Sequence, residues 1–295
     1  MTSHARRDAM VAMPDGRRLA YTEWGPPDGK PVMLFHGTPG SRLWCPDEEA
    51  TAAAGVRLIL PDRPGIGHSD PLEGRTLGDW PKDVEALADA LEIPTFGIVG
   101  VSAGGPYAAA CAALIPQRLR GVALVACRHL SEYNWAERPG AREGWADDDR
   151  AEFDLAQRDP AAAARLAAQG AADWVDQLDH HPEIIQKGLE AEADGDRWFF
   201  EDAARKAVFE ASVRDWRSQG LDALRWELID VLLPWGFRLA DISIPVSIWF
   251  GSQDPRIKSL DFQARTIPQS SVVVWPDCGH LGFARHWSEI LDAVV

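Results

Sequence analysis

Phe96-Gly97-Ile98-Val99-Gly100-Val101-Ser102-Ala103-Gly104-Gly105-Pro106-Tyr107 is the stretch on which the reading of this chain turns. Phe96, Ile98 and Val99 form an apolar run that meets Gly100-Val101-Ser102-Ala103-Gly104, a G-x-S-x-G pattern. The alanine-rich segment Ala108 to Leu114 then reads as a helix. Strand, sharp turn and helix together are the context in which this pattern carries chemistry. A serine at the tip of such a turn sits under backbone strain, and glycines two residues to either side relieve crowding against neighbouring elements. Its hydroxyl then stands clear of the sheet with the positive end of a helix behind it. Ser102 is the candidate nucleophile, with Gly100 and Gly104 in support.

Outward from this turn, the chain alternates between two periodicities. Asp8 to Trp24 reads as a hairpin turning at Pro14-Asp15-Gly16, and Gly25 to Gly29 as a loop. Pro31 to Phe35 is a short apolar run suited to a buried parallel strand, ending in His36-Gly37-Thr38-Pro39-Gly40. A helix to Ala54, a strand Val56 to Leu60, a helix Trp80 to Leu91 and a strand Gly121 to Cys127 follow. From His129 to Ala240 no strand pattern stands out. Alternation resumes with the strand Pro245 to Phe250, a helix near Ser259 to Thr266, the strand Ser271 to Trp275 and one closing helix Leu281 to Val294. Such alternation predicts an α/β class with a mainly parallel sheet and helices on both faces. The expected division is a core of residues 1–128 and 241–295, with 129–240 an inserted all-helical cap.

Charge narrows the function classes. The formal charge of −15 over 295 residues disfavours non-specific nucleic-acid binding, since phosphates are repelled. Residues 129–240 hold 24 acidic against 13 basic residues, a solvated acidic face that also disfavours anionic substrates at an entrance. No 18-residue apolar run suggests a membrane span, and the first ten residues lack the apolar stretch of a signal peptide. Cys45, Cys111, Cys127 and Cys278 are scattered without metal-like spacing, so reduced thiols and a cytoplasmic location are expected. His180-His181 lacks further ligands at metal spacing and reads as cap surface. No cofactor and no metal are expected. The partner is a small molecule, and monomer and homodimer both stay open.

A serine hydroxyl is a weak nucleophile at neutral pH, and it needs a base and a group to orient that base. Two late loops supply candidates: Asp254 in Phe250-Gly251-Ser252-Gln253-Asp254-Pro255, and His280 in Trp275-Pro276-Asp277-Cys278-Gly279-His280. Each follows an apolar strand, and in a parallel sheet such strand ends share one edge.

With these residues, and with Asp62-Arg63-Pro64-Gly65-Ile66-Gly67-His68-Ser69-Asp70, the chain resembles the capped, lipase-like or epoxide-hydrolase-like α/β-hydrolases over nearly its whole length. The resemblance implies Ser102 as nucleophile, His280 as general base and then acid, and Asp254 as holder of the imidazole tautomer. It places the oxyanion hole at the backbone N–H groups of Thr38 and Ala103, with His36 and Gly37 supporting the loop. Asp254 is preferred to Asp277, which lies only three residues before His280. His68 is not expected to be catalytic, and Asp62 and Arg63 are expected to tie down their turn.

Dehalogenases and epoxide hydrolases of this family use aspartate at the elbow, so serine directs the reading to acyl transfer: ester, thioester, lactone or amide cleavage. Carbon–carbon bond hydrolysis also remains, as does a proline-iminopeptidase-like activity, although Thr38 and Ala103 depart from that group's glycine and tryptophan. An acyltransferase, a lyase using the same triad and a non-catalytic binding module complete the alternatives. Seven of the thirteen tryptophans (Trp135, Trp145, Trp174, Trp198, Trp216, Trp226, Trp235) fall in the insertion. If some line the pocket, a bulky apolar or aromatic substrate is favoured.

Overall fold

The computed structural model describes residues 6–127, 147–181 and 183–295. Eight strands form one sheet in the order β1-β2-β4-β3-β5-β6-β7-β8. They are β1 (Arg7–Ala12), β2 (Arg18–Trp24), β3 (Lys30–Phe35), β4 (Val56–Pro61), β5 (Phe96–Val101), β6 (Leu119–Val125), β7 (Val246–Gly251) and β8 (Ser270–Trp275). β1 pairs antiparallel with β2, and β2 with β4; every other pairing is parallel. All six residues of β5 are buried, as a continuous apolar run at the centre of a covered sheet must be.

Two glycines of β5 show that both faces are covered. A Cβ on Gly100 would sit 2.6 Å from Ala108 Cβ, in the helix that follows β5, whereas one on Gly97 would sit 2.3 Å from the Val294 carbonyl oxygen near the C-terminus. Residues three apart on a strand point to opposite faces. The helix α3 (Gly105–Leu114) therefore packs on one face with α2 (Trp80–Ala90). On the other, α1 (Glu48–Ala53) packs with the C-terminal helix Trp287–Asp292. The sheet is doubly wound and mostly parallel, as the alternation predicts.

Two departures from the sequence reading have a local cause. β6 ends at Val125 rather than Cys127, because Ala126 turns into the left-handed region at φ 55°. The single closing helix expected over Leu281 to Val294 is replaced by a three-residue turn, Gly282–Ala284, and the helix Trp287–Asp292. The Leu281 amide donates to the Asp196 carboxylate at 3.0 Å, and Gly282 lies so close to Cys278 that a Cβ would be 2.5 Å from the cysteine Cβ. Packing tightens the first turn and sets the helix start later.

Between β6 and β7 the described residues form helices and turns and no strand: Asp147–Arg158, Pro160–His180, Glu183–Glu192, Arg197–Glu201, Ala203–Trp216 and Leu221–Leu224. Their starts are local. Asp159 accepts from the Ala162 amide with Pro160 in the first turn, and Asp202 accepts from Ala204 and Arg205. The expected boundary at residues 128/129, Trp135 and Trp145 lie outside the described residues. No helix among the described residues is long and apolar enough to cross a membrane.

Candidate active site

β5 runs into the short turn Ser102–Gly104 and then α3, so Ser102 sits where the backbone reverses from strand to helix. Its φ is 53°, a left-handed conformation that costs a non-glycine residue on the order of 1–3 kcal/mol and persists only where the surroundings enforce it. The glycines around it allow close approaches, which at Gly104 leave no room for a side chain. A Cβ on Gly104 would lie 2.1 Å from the Phe35 carbonyl oxygen, and one on Gly37 would lie 3.2 Å from Ser102 Cβ. Gly37 thus brings the loop after β3 directly against the serine.

His280 and Asp254 arrive from the ends of β8 and β7. His280 Nδ1 and Asp254 Oδ2 are 2.8 Å apart, and the Asp254 side chain is fully buried. The other carboxylate oxygen accepts from the Arg256 amide at 3.0 Å and from its guanidinium at 3.1 Å. Burial pushes the Asp254 carboxyl up, but His280 and Arg256 outweigh it and hold the group below its usual range. Asp277, the rival carboxylate, is exposed in a left-handed turn, its amide donating to Ser252 Oγ.

Ser102 and His280 line one cavity of about 300 Å³, together with Gly37 and Thr38. Among the described residues no hydrogen bond joins the Ser102 hydroxyl to the imidazole; such contacts often tighten only when substrate is bound. Trp44, Trp174, Ile185, Leu189, Phe209 and Phe283 give the wall a broad apolar, largely aromatic stretch, and the charged Glu192 and Arg256 also line it. Of the insertion's described tryptophans, Trp174 lines this cavity. Trp216, Trp226 and Trp235 are buried, and Trp198 stacks under the Arg285 guanidinium at 4.1 Å. Thr38 and Ala103 also line a second cavity of about 170 Å³ with Tyr107, Glu227 and Asp230.

Behind that second cavity lies a buried ionic cluster for which the sequence carries no signal. The Arg63 side chain reaches away from its own turn instead of tying it down as expected. Its guanidinium donates to the His36 carbonyl at 2.7 Å, to Thr38 Oγ1 at 3.1 Å and to the Glu227 carboxylate. Thr38 Oγ1 in turn donates to Glu227 at 2.8 Å, and Tyr107 OH donates to Glu227 at 2.9 Å. Arg75 pairs with both Glu227 and Asp230, and Tyr107 bonds Asp230. Burial raises both carboxyls. Arg63 and Arg75 overcome it at Glu227 and hold it low, whereas at Asp230 burial and the Glu227 charge prevail and keep it raised. Glu227 and Asp230 come from the insertion, Tyr107 from α3, Thr38 from the loop after β3, and Arg63 and Arg75 from the segment after β4, so one cluster joins four segments next to Ser102.

The other singled-out residues fall outside the cavity. Asp62 secures its turn, accepting from the amides of Arg42 and His68. His68 is exposed and lies 3.9 Å from Asp215. His36 is buried, its Nδ1 2.9 Å from the Gly37 carbonyl. His180 and His181 are exposed, and the described residues hold no cluster of three or more potential metal ligands. All four cysteines are buried and unpaired.

Residues 30–286 match the family model described as alpha/beta hydrolase fold. Over 97 residues the chain is 38% identical to a non-heme chloroperoxidase of Streptomyces lividans, covering 32% of this chain and 35% of that protein. Over 153 residues it is 32% identical to a proline iminopeptidase of Xylella fastidiosa, covering 47% and 46%. The chain thus spans less than half the length of these curated relatives. Among solved structures it is similar to a bromoperoxidase from Bacillus anthracis (TM-score 0.68, 24% identity, 97% of this chain and 98% of that one). It is also similar to an esterase from Exiguobacterium antarcticum (TM-score 0.67, 18% identity, 97% and 98%). At these identities the structural likeness is one of fold.

Proposed function

This chain belongs to the α/β-hydrolase fold family, and on that premise we propose that it is a serine hydrolase cleaving an ester, lactone or amide-type bond of a small apolar or aromatic molecule. One observation carries the reading: Ser102, held at φ 53°, opens into the cavity that His280 also lines, and the far side of that imidazole is bonded to the buried Asp254. Ser102 Oγ attacks the carbonyl carbon while its proton passes to His280 Nε2. The tetrahedral oxyanion is received by the N–H groups of Thr38 and Ala103, each such donor contributing roughly 10²–10³ in rate. Collapse breaks the bond to the leaving group, which takes the proton from His280. Water then repeats the sequence on the acyl-Ser102 and releases the acid. The negative Asp254 stabilises the imidazolium formed in each half and fixes its tautomer.

The helical insertion acts as a cap. Its Trp174, Ile185 and Leu189 form much of the cavity wall, so the core determines which bond breaks and the cap which acyl or alcohol group fits. The test is a series of p-nitrophenyl esters of increasing acyl length, run with fluorophosphonate labelling. Label is expected on Ser102 alone, and Ser102→Ala should lose both the label and at least about 10³ of turnover. Undiminished labelling of that variant places the nucleophile elsewhere and overturns the reading.

A further inference from the structure

The turn Asp194–Asp196 follows the helix Glu183–Glu192 of the insertion, yet its contacts are with the loops that carry Asp254 and His280. The Gly195 amide donates to Gln253 Oε1 at 2.8 Å, and the Gln253 amide donates to the Cys278 carbonyl at 2.8 Å. A Cβ on Gly195 would stand 2.5 Å from the Asp277 carbonyl oxygen, so the turn sits hard against the histidine loop. Asp196 is fully buried. Its Oδ1 accepts from the Leu281 amide at 3.0 Å, the residue after His280, and Oδ2 is buried without a partner. Gly279, the residue before His280, packs so closely that a Cβ there would lie 2.6 Å from the carboxylate. Just before the turn, Glu192 pairs at 2.6 Å with the same Arg256 guanidinium that holds Asp254 at 3.1 Å.

We propose that Asp196 is a positioning residue for His280, a carboxylate from the insertion that clamps the backbone on both sides of the histidine and adds a second negative charge to that of Asp254. The proposal deepens the serine-hydrolase reading and rests on it. An unpartnered buried oxygen is costly unless something nearby makes use of its charge. Burial raises the Asp196 carboxyl and prevails over the Leu281 amide and the charge of His280, which pull it down. The charged groups grouped here are Asp254 from the loop after β7, Arg256 and Glu192 behind it, and Asp196 from the insertion. Two consequences follow. Opening the insertion releases the His280 loop, so substrate entry and assembly of the His280–Asp254 pair become linked. The imidazolium that forms when Ser102 gives up its proton is also stabilised by two carboxylates rather than one.

The test separates position from charge with Asp196→Asn and Asp196→Ala in the full chain, using p-nitrophenyl butyrate turnover and NMR titration of the His280 imidazole. Asp196→Ala loses the Leu281 acceptor and is expected to lower kcat about ten- to a hundredfold with KM changed less than about threefold. Asp196→Asn keeps an acceptor and should recover part of that loss. Both variants should move the imidazole signal's titration and the acid limb of the rate profile to lower pH than in wild type, since a negative neighbour has gone. Wild-type kcat and an unmoved imidazole titration in both variants overturn the proposal. Should the alanine variant not fold, the asparagine variant carries both measurements. If the wild-type chain neither turns over ester nor labels at Ser102, the hydrolase reading fails, while the titration still decides whether Asp196 acts on His280.

Discussion

Asp254 Oδ2 and His280 Nδ1 stand 2.8 Å apart, although 26 residues and a strand separate them in the chain. The carboxylate is fully buried while the imidazole keeps one edge toward the cavity that contains Ser102. Burial alone would favour a neutral acid. Arg256 and His280 keep the group ionised, which is what a partner for an imidazolium requires.

Asp254→Asn preserves the shape of that contact but lets the ring adopt the other tautomer. Turnover of an activated ester should fall by up to about 10⁴ with little change in melting temperature. Asp277→Asn alters an exposed side chain and should cost less than about threefold. The opposite ranking in steady-state kinetics would show that the wrong carboxylate has been assigned.

Glu227 is shared by Arg63 and Arg75, all three buried. Glu227→Gln leaves two guanidinium groups with only Asp230 between them, so unfolding free energy from urea titration should drop by about 3–5 kcal/mol. A loss under about 1 kcal/mol would mean that water reaches the cluster and screens it.

Stability should also depend on pH through His36. Its pKa is pushed down to about 3 by burial and by the nearby Arg63 charge, against about 6.5 in an unfolded chain. Between those values the unfolded state binds a proton that the folded state refuses. Stability from this group is therefore complete above about pH 6.5 and is lost as pH falls toward 3, by up to about 5 kcal/mol. Asp62, raised by burial to about 6 despite Arg42, acts in the opposite sense: its contribution is present below about pH 4 and fades as pH rises through 6. Urea midpoints from pH 4 to 8 for wild type and His36→Asn should converge toward low pH. Parallel curves would exclude His36 as the source.

Trp174 and Trp216 meet edge to face, 5.8 Å between centroids, but only Trp174 reaches the cavity. Trp216→Ala empties a fully buried position and should cost about 3–5 kcal/mol. Trp174→Ala should melt nearly as wild type while shifting the kcat/KM ratio between C10 and C4 esters by about tenfold in favour of the longer chain. An unchanged ratio removes the support for a bulky apolar substrate.

Much of this arrangement was legible in the chain because its signals are local. An apolar run followed by Gly100-x-Ser102-x-Gly104 and an alanine-rich segment specifies strand, turn and helix from backbone preference and crowding alone, and Ser102 occupies that turn. Asp254 and His280 are legible because each follows a short apolar strand, and parallel strands bring their ends to one edge. The positions of the later strands and the absence of strand pattern in the insertion are likewise read from periodicity.

What periodicity does not encode is which distant segments meet. Nothing in Glu227 or Asp230 distinguishes them from the other acidic residues between 129 and 240, yet these two are buried against Arg63, Arg75 and Tyr107, while Asp194 remains largely exposed. Asp196 differs from Asp194 only in the direction it faces on a three-residue turn, and that direction is set by docking against the His280 loop. The same docking holds the Leu281 amide and shortens the final helix. The sequence by itself determined the sheet, the strained serine and the two strand-end candidates, because a residue's own backbone preference and its neighbours suffice for these. Which charges are buried, and which partners keep them ionised, only the tertiary structure decided, because desolvation and pairing depend on groups more than a hundred residues apart coming within 3 Å.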